Sequence, residues 1–246
     1  MKQKGTIVMA VSGKGGVGKS CLTVTVGREL ARLGQRTLLV EMELGLGVLD
    51  VMLGLERGVC CLADLLDSRC DAKDCVMAVP GEPGLWALLS VNEKDFVYDP
   101  AVFAEKMDEL AGSFDWILIE TPPGYGSWFA AACQAADEAV IVATPDLPCL
   151  RQGREVSDLL EDWPSVRQRL IVNRLDSKRF CAWRPIANLD VAIDQVGVPL
   201  LGVVPEDGRL SYWINAGKSL PQDSGARKAC QRIARRLLGQ AVELGI

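Results

Sequence analysis

The chain has 246 residues, of which 49% are hydrophobic, a formal net charge of −5 and no histidine. Its length suits one large α/β domain with a well-buried core; the missing histidine removes imidazole as acid, base or metal ligand, and the acidic balance disfavours generic nucleic-acid binding. Every apolar run falls well short of the roughly 18 residues of a membrane span, and Met1 to Gly5 leads into a strand pattern instead of a signal-peptide core, so a cytoplasmic protein is expected.

Gly5 to Val11 is a short, β-branched apolar run that reads as a strand buried on both faces. It feeds Ser12-Gly13-Lys14-Gly15-Gly16-Val17-Gly18-Lys19-Ser20. Gly13, Gly18, Lys19 and Ser20 fit the phosphate-binding pattern G-x-x-x-x-G-K-[ST]. Its backbone N–H groups cradle phosphate oxygens, its Lys reaches the outer phosphates and its Ser hydroxyl ligates Mg²⁺. Leu22, Val26, Leu30 and Leu33 then recur at helical spacing between Lys19 and Leu33, and Gly34 stands where a capping glycine is expected. The glycines therefore sit between a strand and a helix N-terminus, the setting that favours an anion.

Further strands are expected at Thr37 to Glu41, Leu85 to Val91, Trp116 to Glu120, Glu138 to Ala143, Leu170 to Asn173 and Pro199 to Val204, with helical patterns in most of the gaps. Alternation of this kind predicts a three-layer α/β/α fold around a mainly parallel twisted sheet, read as one domain over 1–246. Ligands of such folds bind beyond the carboxyl ends of the strands. Glu41 and Glu43 close one strand there and Glu120 another. A buried strand-end charge needs a metal, a cation or solvent as partner, so Ser20, Glu41 and Glu120 are the expected magnesium ligands, partly through water.

The nine cysteines include no C-x-x-C pair: Cys60 and Cys61 are adjacent, and Cys70 and Cys75 are five apart. They read as buried, reduced cysteines acting as small hydrophobes, and an iron–sulfur cluster has no spacing behind it.

Taken together, these residues resemble the deviant Walker-A ATPases of the MinD/ParA group, its MinD-like branch most closely, over nearly the whole chain. Lys14 resembles the signature lysine. Glu43 to Leu55 resembles the first switch, and Glu120-Thr-Pro-Pro-Gly124 the second. Val172-Asn173-Arg174 resembles the strand end that reads adenine, Gly202-Val-Val-Pro205-Glu206-Asp207 the loop over the base, and Asn215 to Pro221 the segment before the last helix. The resemblance implies ATP or ADP with Mg²⁺ as cofactors, and a homodimer closed around two ATP molecules, each Lys14 reaching the other subunit's phosphates. It implies Lys14, Lys19, Glu43 and Glu120 as catalytic residues. The nucleotide would be held by residues 13–21, that is Gly13, Lys14, Gly15, Gly16, Val17, Gly18, Lys19, Ser20 and Cys21, and by Asn173, Arg174, Pro205, Glu206 and Asp207. ATP then acts as an assembly switch, with an unidentified protein partner.

Two departures qualify that expectation. The family usually carries aspartate where this chain has Glu41, Glu43 and Glu120. Each carboxylate moves out by about 1.5 Å, and misplacement on the order of 1 Å can cost about a hundredfold in rate; a slow ATPase or a hydrolysis-poor ATP-binding scaffold is expected, or else a backbone retracted to compensate. At the C-terminus, Ala226 to Leu238 is a basic amphipathic helix. Its apolar face (Ala226, Cys230, Ile233, Ala234, Leu237, Leu238) reads as core packing, with no separate membrane-targeting tail, and any membrane association is expected to run through a partner. Trp128, Phe129, Trp183 and Trp213 read equally as core or as partner surface. A ParA-like partition ATPase would need a basic patch, and a metal-cluster carrier would need bridging C-x-x-C pairs.

Overall fold

The computed structural model describes residues 4–43, 47–56, 58–90, 96–176 and 188–245. Eight strands, β1 (Thr6–Val11), β2 (Thr37–Glu41), β3 (Val76–Ala78), β4 (Leu85–Leu88), β5 (Trp116–Glu120), β6 (Glu138–Ala143), β7 (Arg167–Leu175) and β8 (Leu200–Pro205), form one sheet in the order β3-β4-β2-β5-β1-β6-β7-β8. All neighbouring pairs are parallel except β3 with β4. The helices are α1 (Lys19–Arg32), α2 (Leu49–Leu53), α3 (Leu62–Leu66), α4 (Ala72–Cys75), α5 (Pro100–Ala111), α6 (Ser127–Ala135), α7 (Leu147–Leu160), α8 (Leu189–Val196), α9 (Leu210–Asn215) and α10 (Gly225–Leu237). The three-layer α/β/α architecture expected from the alternation is the one formed.

The topology fixes where chemistry gathers. β1 lies between β5 and β6, and β2 is the next strand beyond β5. The segments leaving β1, β2 and β5 therefore emerge side by side at one edge. The register sharpens this: Glu120 of β5 stands opposite both Ala10 of β1 and Glu41 of β2.

α1 is buried from Leu22 to Ala31 on all sides, because it is sandwiched between the sheet and α10. Ala226, Ala229, Cys230, Ile233 and Ala234 of α10 are fully buried, packed on α1 and β8. Its close approach to the sheet requires Gly202: a Cβ there would lie 2.5 Å from Ile233 Cγ1. Several of its basic side chains are also committed to the fold. Arg227 pairs with buried Glu29 at 2.9 Å, and Arg236 donates to Leu201 O and Val242 O.

The strands differ from the sequence expectation at three places. β3 was not expected; it adds antiparallel to the sheet edge, and three residues are too few for an alternation to be read. β4 ends at Leu88, and Val91 lies outside the described residues, as do Trp183 and residues 44–46 of the first switch-like segment. β7 begins at Arg167, earlier than its apolar run, because Arg169 is neutralised across the ladder by Glu138 (2.7 and 2.9 Å). Trp128 is core, whereas Phe129 and Trp213 are half-buried.

The reading of all cysteines as reduced small hydrophobes is corrected at one pair. Cys60 and Cys70, both half-buried, are joined in a disulfide with their Cα atoms 6.5 Å apart. Cys75, Cys133, Cys149 and Cys230 are free and buried, and Cys21 and Cys61 are free and half-buried. Cys181 lies outside the described residues.

One buried cation ties the layers together. Arg28 of α1, 3% exposed, pairs with Glu82 at 3.2 Å and donates to the carbonyls of Met52, Gly217 and Lys218 at 3.0–3.2 Å. Arg28→Met leaves these acceptors without a donor and is expected to cost on the order of 3 kcal/mol in denaturant unfolding. Arg154→Met, which breaks an exposed pair with Asp158, is expected to change stability by less than about 0.5 kcal/mol.

Candidate nucleotide site

The loop after β1 is built around Gly18, which enters α1 at φ +98°. That left-handed backbone favours glycine, and the space demands it too, since a Cβ would stand 2.4 Å from Asn173 Nδ2. Asn173, buried near the end of β7, donates from that nitrogen to Val17 O at 2.7 Å, so the loop is latched to a strand two places away in the sheet. A Cβ at Gly13 would lie 2.6 Å from Gln152 Cβ, bringing α7 against the other side.

The two lysines of the loop have opposite environments. Lys19 is buried and donates from Nζ to Ser12 Oγ at 2.8 Å, while Ser12 donates to Lys14 O at 2.8 Å, closing the loop over its own amine. Burial pushes the Lys19 ammonium below its ordinary range, against the pull of Glu120 and Glu43. Lys14, Gly15 and Gly16 are exposed.

Glu120 faces the start of α1. Its Oε1 accepts the Ser20 hydroxyl, and its Oε2 is buried without a hydrogen-bond partner among the described residues. Burial pushes its carboxyl up to about 7; the Ser20 bond and Lys19 pull the other way, and Glu41 and Glu43 add to the rise. An orphaned buried oxygen beside a serine hydroxyl at a helix N-terminus fits a divalent cation.

Glu41 has another task from the metal ligand expected. It is 1% exposed, and both its oxygens are taken by backbone amides, Oε1 by Val48 (2.6 Å) and Leu49 (2.8 Å) and Oε2 by Ser90 (3.1 Å). It caps the first turn of α2 and ties it to the end of β4. With both oxygens so engaged, reaching toward Ser20 would mean giving those amides up. Glu43 is half-buried; burial raises its carboxyl, the field of Lys19 lowers it and Glu41 raises it further. Tyr98 donates to Met42 O at 3.0 Å and so pins the peptide between the two glutamates.

The segment after β5 closes the opposite side. Thr121 donates to Ala10 O at 2.7 Å, and Gly124 N–H to Ser12 O at 3.2 Å. Beyond Asn173, Arg174 takes φ +58° at a break in the β7–β8 register and projects to solvent. Cys21 is near enough for Arg174 to offset part of the rise that burial imposes on its thiol. At the end of β8, Glu206 is exposed. Burial would raise the Asp207 carboxyl, yet hydrogen bonds from Ser224 (2.7 Å) and Arg209 hold it below its ordinary range.

The structure thus gathers Lys19, Ser20, Glu43 and Glu120 at one edge and sets Asn173 against the same loop. Pro205, Glu206 and Asp207 belong to the neighbouring strand end. Sequence reasoning missed Ser12, Thr121, Ser90 and Gln152. Ser12 and Thr121 stand inside the quoted runs without having been given a role, whereas Ser90 and Gln152 serve through contacts that no local pattern encodes.

Comparison with known proteins identifies the family. Residues 8–220 match the CbiA family, the CobQ/CobB/MinD/ParA nucleotide binding domain. The chain is 35% identical to the septum site-determining protein MinD of Synechocystis sp., covering 96% of this chain and 90% of that one. With its counterpart from Bacillus subtilis it is 31% identical over 98% and 92%. Among solved structures, a chain of the MinC:MinD cell division protein complex of Aquifex aeolicus superposes with a TM-score of 0.87 at 31% identity, covering 97% and 98%. The Mg-ADP complex of the septum site-determining protein MinD of Pyrococcus horikoshii gives 0.82 at 25% identity, covering 94% and 95%. The chain belongs to the MinD/ParA family of nucleotide-binding proteins.

Proposed function

We propose that this protein is a MinD-like, ATP-dependent dimerising switch that helps to place a division site or another cellular assembly, and that it hydrolyses ATP slowly. The observation that carries the reading is the contrast of the two loop lysines: Lys19 is sunk under its own loop, whereas Lys14 projects from it. A cation held beneath the loop serves the phosphates of its own subunit. One projecting from it is free to serve phosphates bound by a second copy, which makes the reaction depend on assembly.

Magnesium, bound with the nucleotide, would neutralise charge that develops during phosphoryl transfer. Ser20 and Glu120 are the residues to hold it, directly or through water. Glu43 is the carboxylate that orients the attacking water, and Glu41 acts one step back by holding the segment that carries Glu43. Gly13 to Cys21 cradle the phosphates. On the base side Asn173 Oδ1 is able to accept from the exocyclic amine of adenine, with Arg174, Pro205, Glu206 and Asp207 around it. The output is capture of a protein partner in the ATP-bound dimer; the chain's similarity to a chain of a MinC:MinD cell division protein complex supports a protein partner. Among the described residues no helix is long and apolar enough to cross a membrane.

The glutamates at 41 and 43 favour slow turnover, because the reacting carboxylate is set by a longer side chain. Glu43→Asp is expected to change phosphate release by about tenfold or more, and rates equal to wild type would remove the slow-ATPase reading. Lys14→Ala should bind Mg-ATP with affinity near that of wild type. It should nonetheless stay monomeric in gel filtration and lose about a thousandfold in turnover; an ATP-dependent dimer with unchanged turnover would rule out the exchange of lysines.

Glu120 supplies a pH test. Its carboxyl stands at about 7 in the folded protein against 4.5 ordinarily, so the folded state keeps a proton that the unfolded chain releases in between. Stability is then fully present below about pH 4.5 and declines as pH rises through about 7. In chelator, the wild type is expected to lose on the order of 3 kcal/mol relative to Glu120→Gln between about pH 4.5 and pH 8. Parallel stability profiles would show that this carboxylate is solvated.

A further inference from the structure

The Cys60–Cys70 disulfide accounts for two sulfurs, but three meet. The sulfur atoms of Cys60, Cys70 and Cys75 all lie within 4.8 Å of one another. They come from separate places: Cys60 from the stretch before α3, Cys70 from the turn after it, and Cys75 from the end of α4, where it is buried. A cysteine serving only as a small hydrophobe has no need of two sulfur neighbours.

We propose that, once the Cys60–Cys70 bond is reduced, Cys60, Cys70 and Cys75 form a three-thiolate site for a borderline-soft divalent cation, zinc above all. A tetrahedral zinc with bonds of about 2.3 Å holds its sulfurs about 3.8 Å apart, so the three side chains need only small adjustments to enclose one ion. The donor set is all sulfur. Asp64, the carboxylate that acts most strongly on Cys75, is already engaged by the Cys61 backbone N–H (2.9 Å) and Sγ (3.1 Å) and by Arg69 (3.3 Å). Thiolates select zinc and softer ions over magnesium. The site is therefore distinct in chemistry from the nucleotide site, and β4, β2 and β5 separate β3 from β1 in the sheet. A water is left to complete the fourth position.

The redox step balances simply. A phosphine reductant gives two electrons to the disulfide and takes oxygen from one water to become the phosphine oxide. That water's two protons go to Cys60 and Cys70, and the cation then displaces thiol protons as it binds three thiolates. In the disulfide form two of the three donors are spent, so metal binding and the disulfide exclude each other.

The test uses the full chain, reduced with a phosphine, freed of it anaerobically and titrated with Co²⁺ alone. One equivalent is expected to produce a thiolate-to-cobalt charge-transfer band that zinc abolishes and magnesium leaves intact. The same chain with its disulfide intact should show no band. Cys75→Ser and Cys70→Ser should each weaken binding by more than about a hundredfold, beyond what loss of an outer-shell group costs, and Cys133→Ser should match wild type. Circular dichroism checks that Cys75→Ser is folded, and Cys70→Ser, at a half-buried position, gives an independent reading. The proposal is overturned by a reduced wild type without a stoichiometric band, by a band that survives in the disulfide form, or by Cys70→Ser binding as wild type does.

Discussion

Three carboxylates and one ammonium share a single edge of the sheet, and much of the site follows from how that crowding is resolved. Glu41 and Glu120 stand in register on adjacent strands, an arrangement that two charged groups tolerate only with compensation. Glu41 finds it in three backbone N–H groups. Glu120 has the Ser20 hydroxyl and nearby Lys19, and keeps one buried oxygen without a hydrogen-bond partner among the described residues. The first carboxylate is thus spent on structure, while the second carries an unmet electrostatic demand. Because the strands fix both positions, the demand is relieved by a proton or by a cation brought to the loop, and a magnesium–nucleotide complex is such a cation source.

The same crowding explains why the two loop lysines diverge. Lys19 is desolvated, a costly state for an ammonium, and is held there by Ser12 and by the field of Glu120 and Glu43. A second buried ammonium would need a further set of acceptors. Lys14 instead stays in water at the loop's outer surface.

Much of this was legible in the sequence because it depends on short-range rules. Strand, glycine loop and helix are contiguous from Thr6 to Arg32, and each strand-end acid follows an apolar run whose period declares it. What was not legible depends on pairs far apart in the chain. The capping of α2 by Glu41 involves Ser90, the latch of Val17 involves Asn173, and β3 exists only because β4 offers it an edge. The glutamates at 41, 43 and 120 look alike as departures from aspartate, yet the structure gives them three different surroundings. Cysteine spacing failed for the same reason: two helices fold Cys60, Cys70 and Cys75 together across intervals that match no short motif.

The cysteine-rich stretch is also linked by hydrogen bonds to the segment that follows β2. Leu62, which begins α3, donates its N–H to Leu89 O, and the next residue, Ser90, donates to Glu41 Oε2. Glu41 in turn holds the first turn of α2. The backbone from Cys61 to Leu49 is therefore linked through two hydrogen bonds across the end of β4 and one carboxylate. A shift of α2 that pulled Glu41 from its amides would release Ser90, leaving Leu62 bonded to a strand end that had lost its neighbour. The cluster of Cys60, Cys70 and Cys75 therefore lies at one end of a run of contacts whose other end is Glu41 and the first turn of α2.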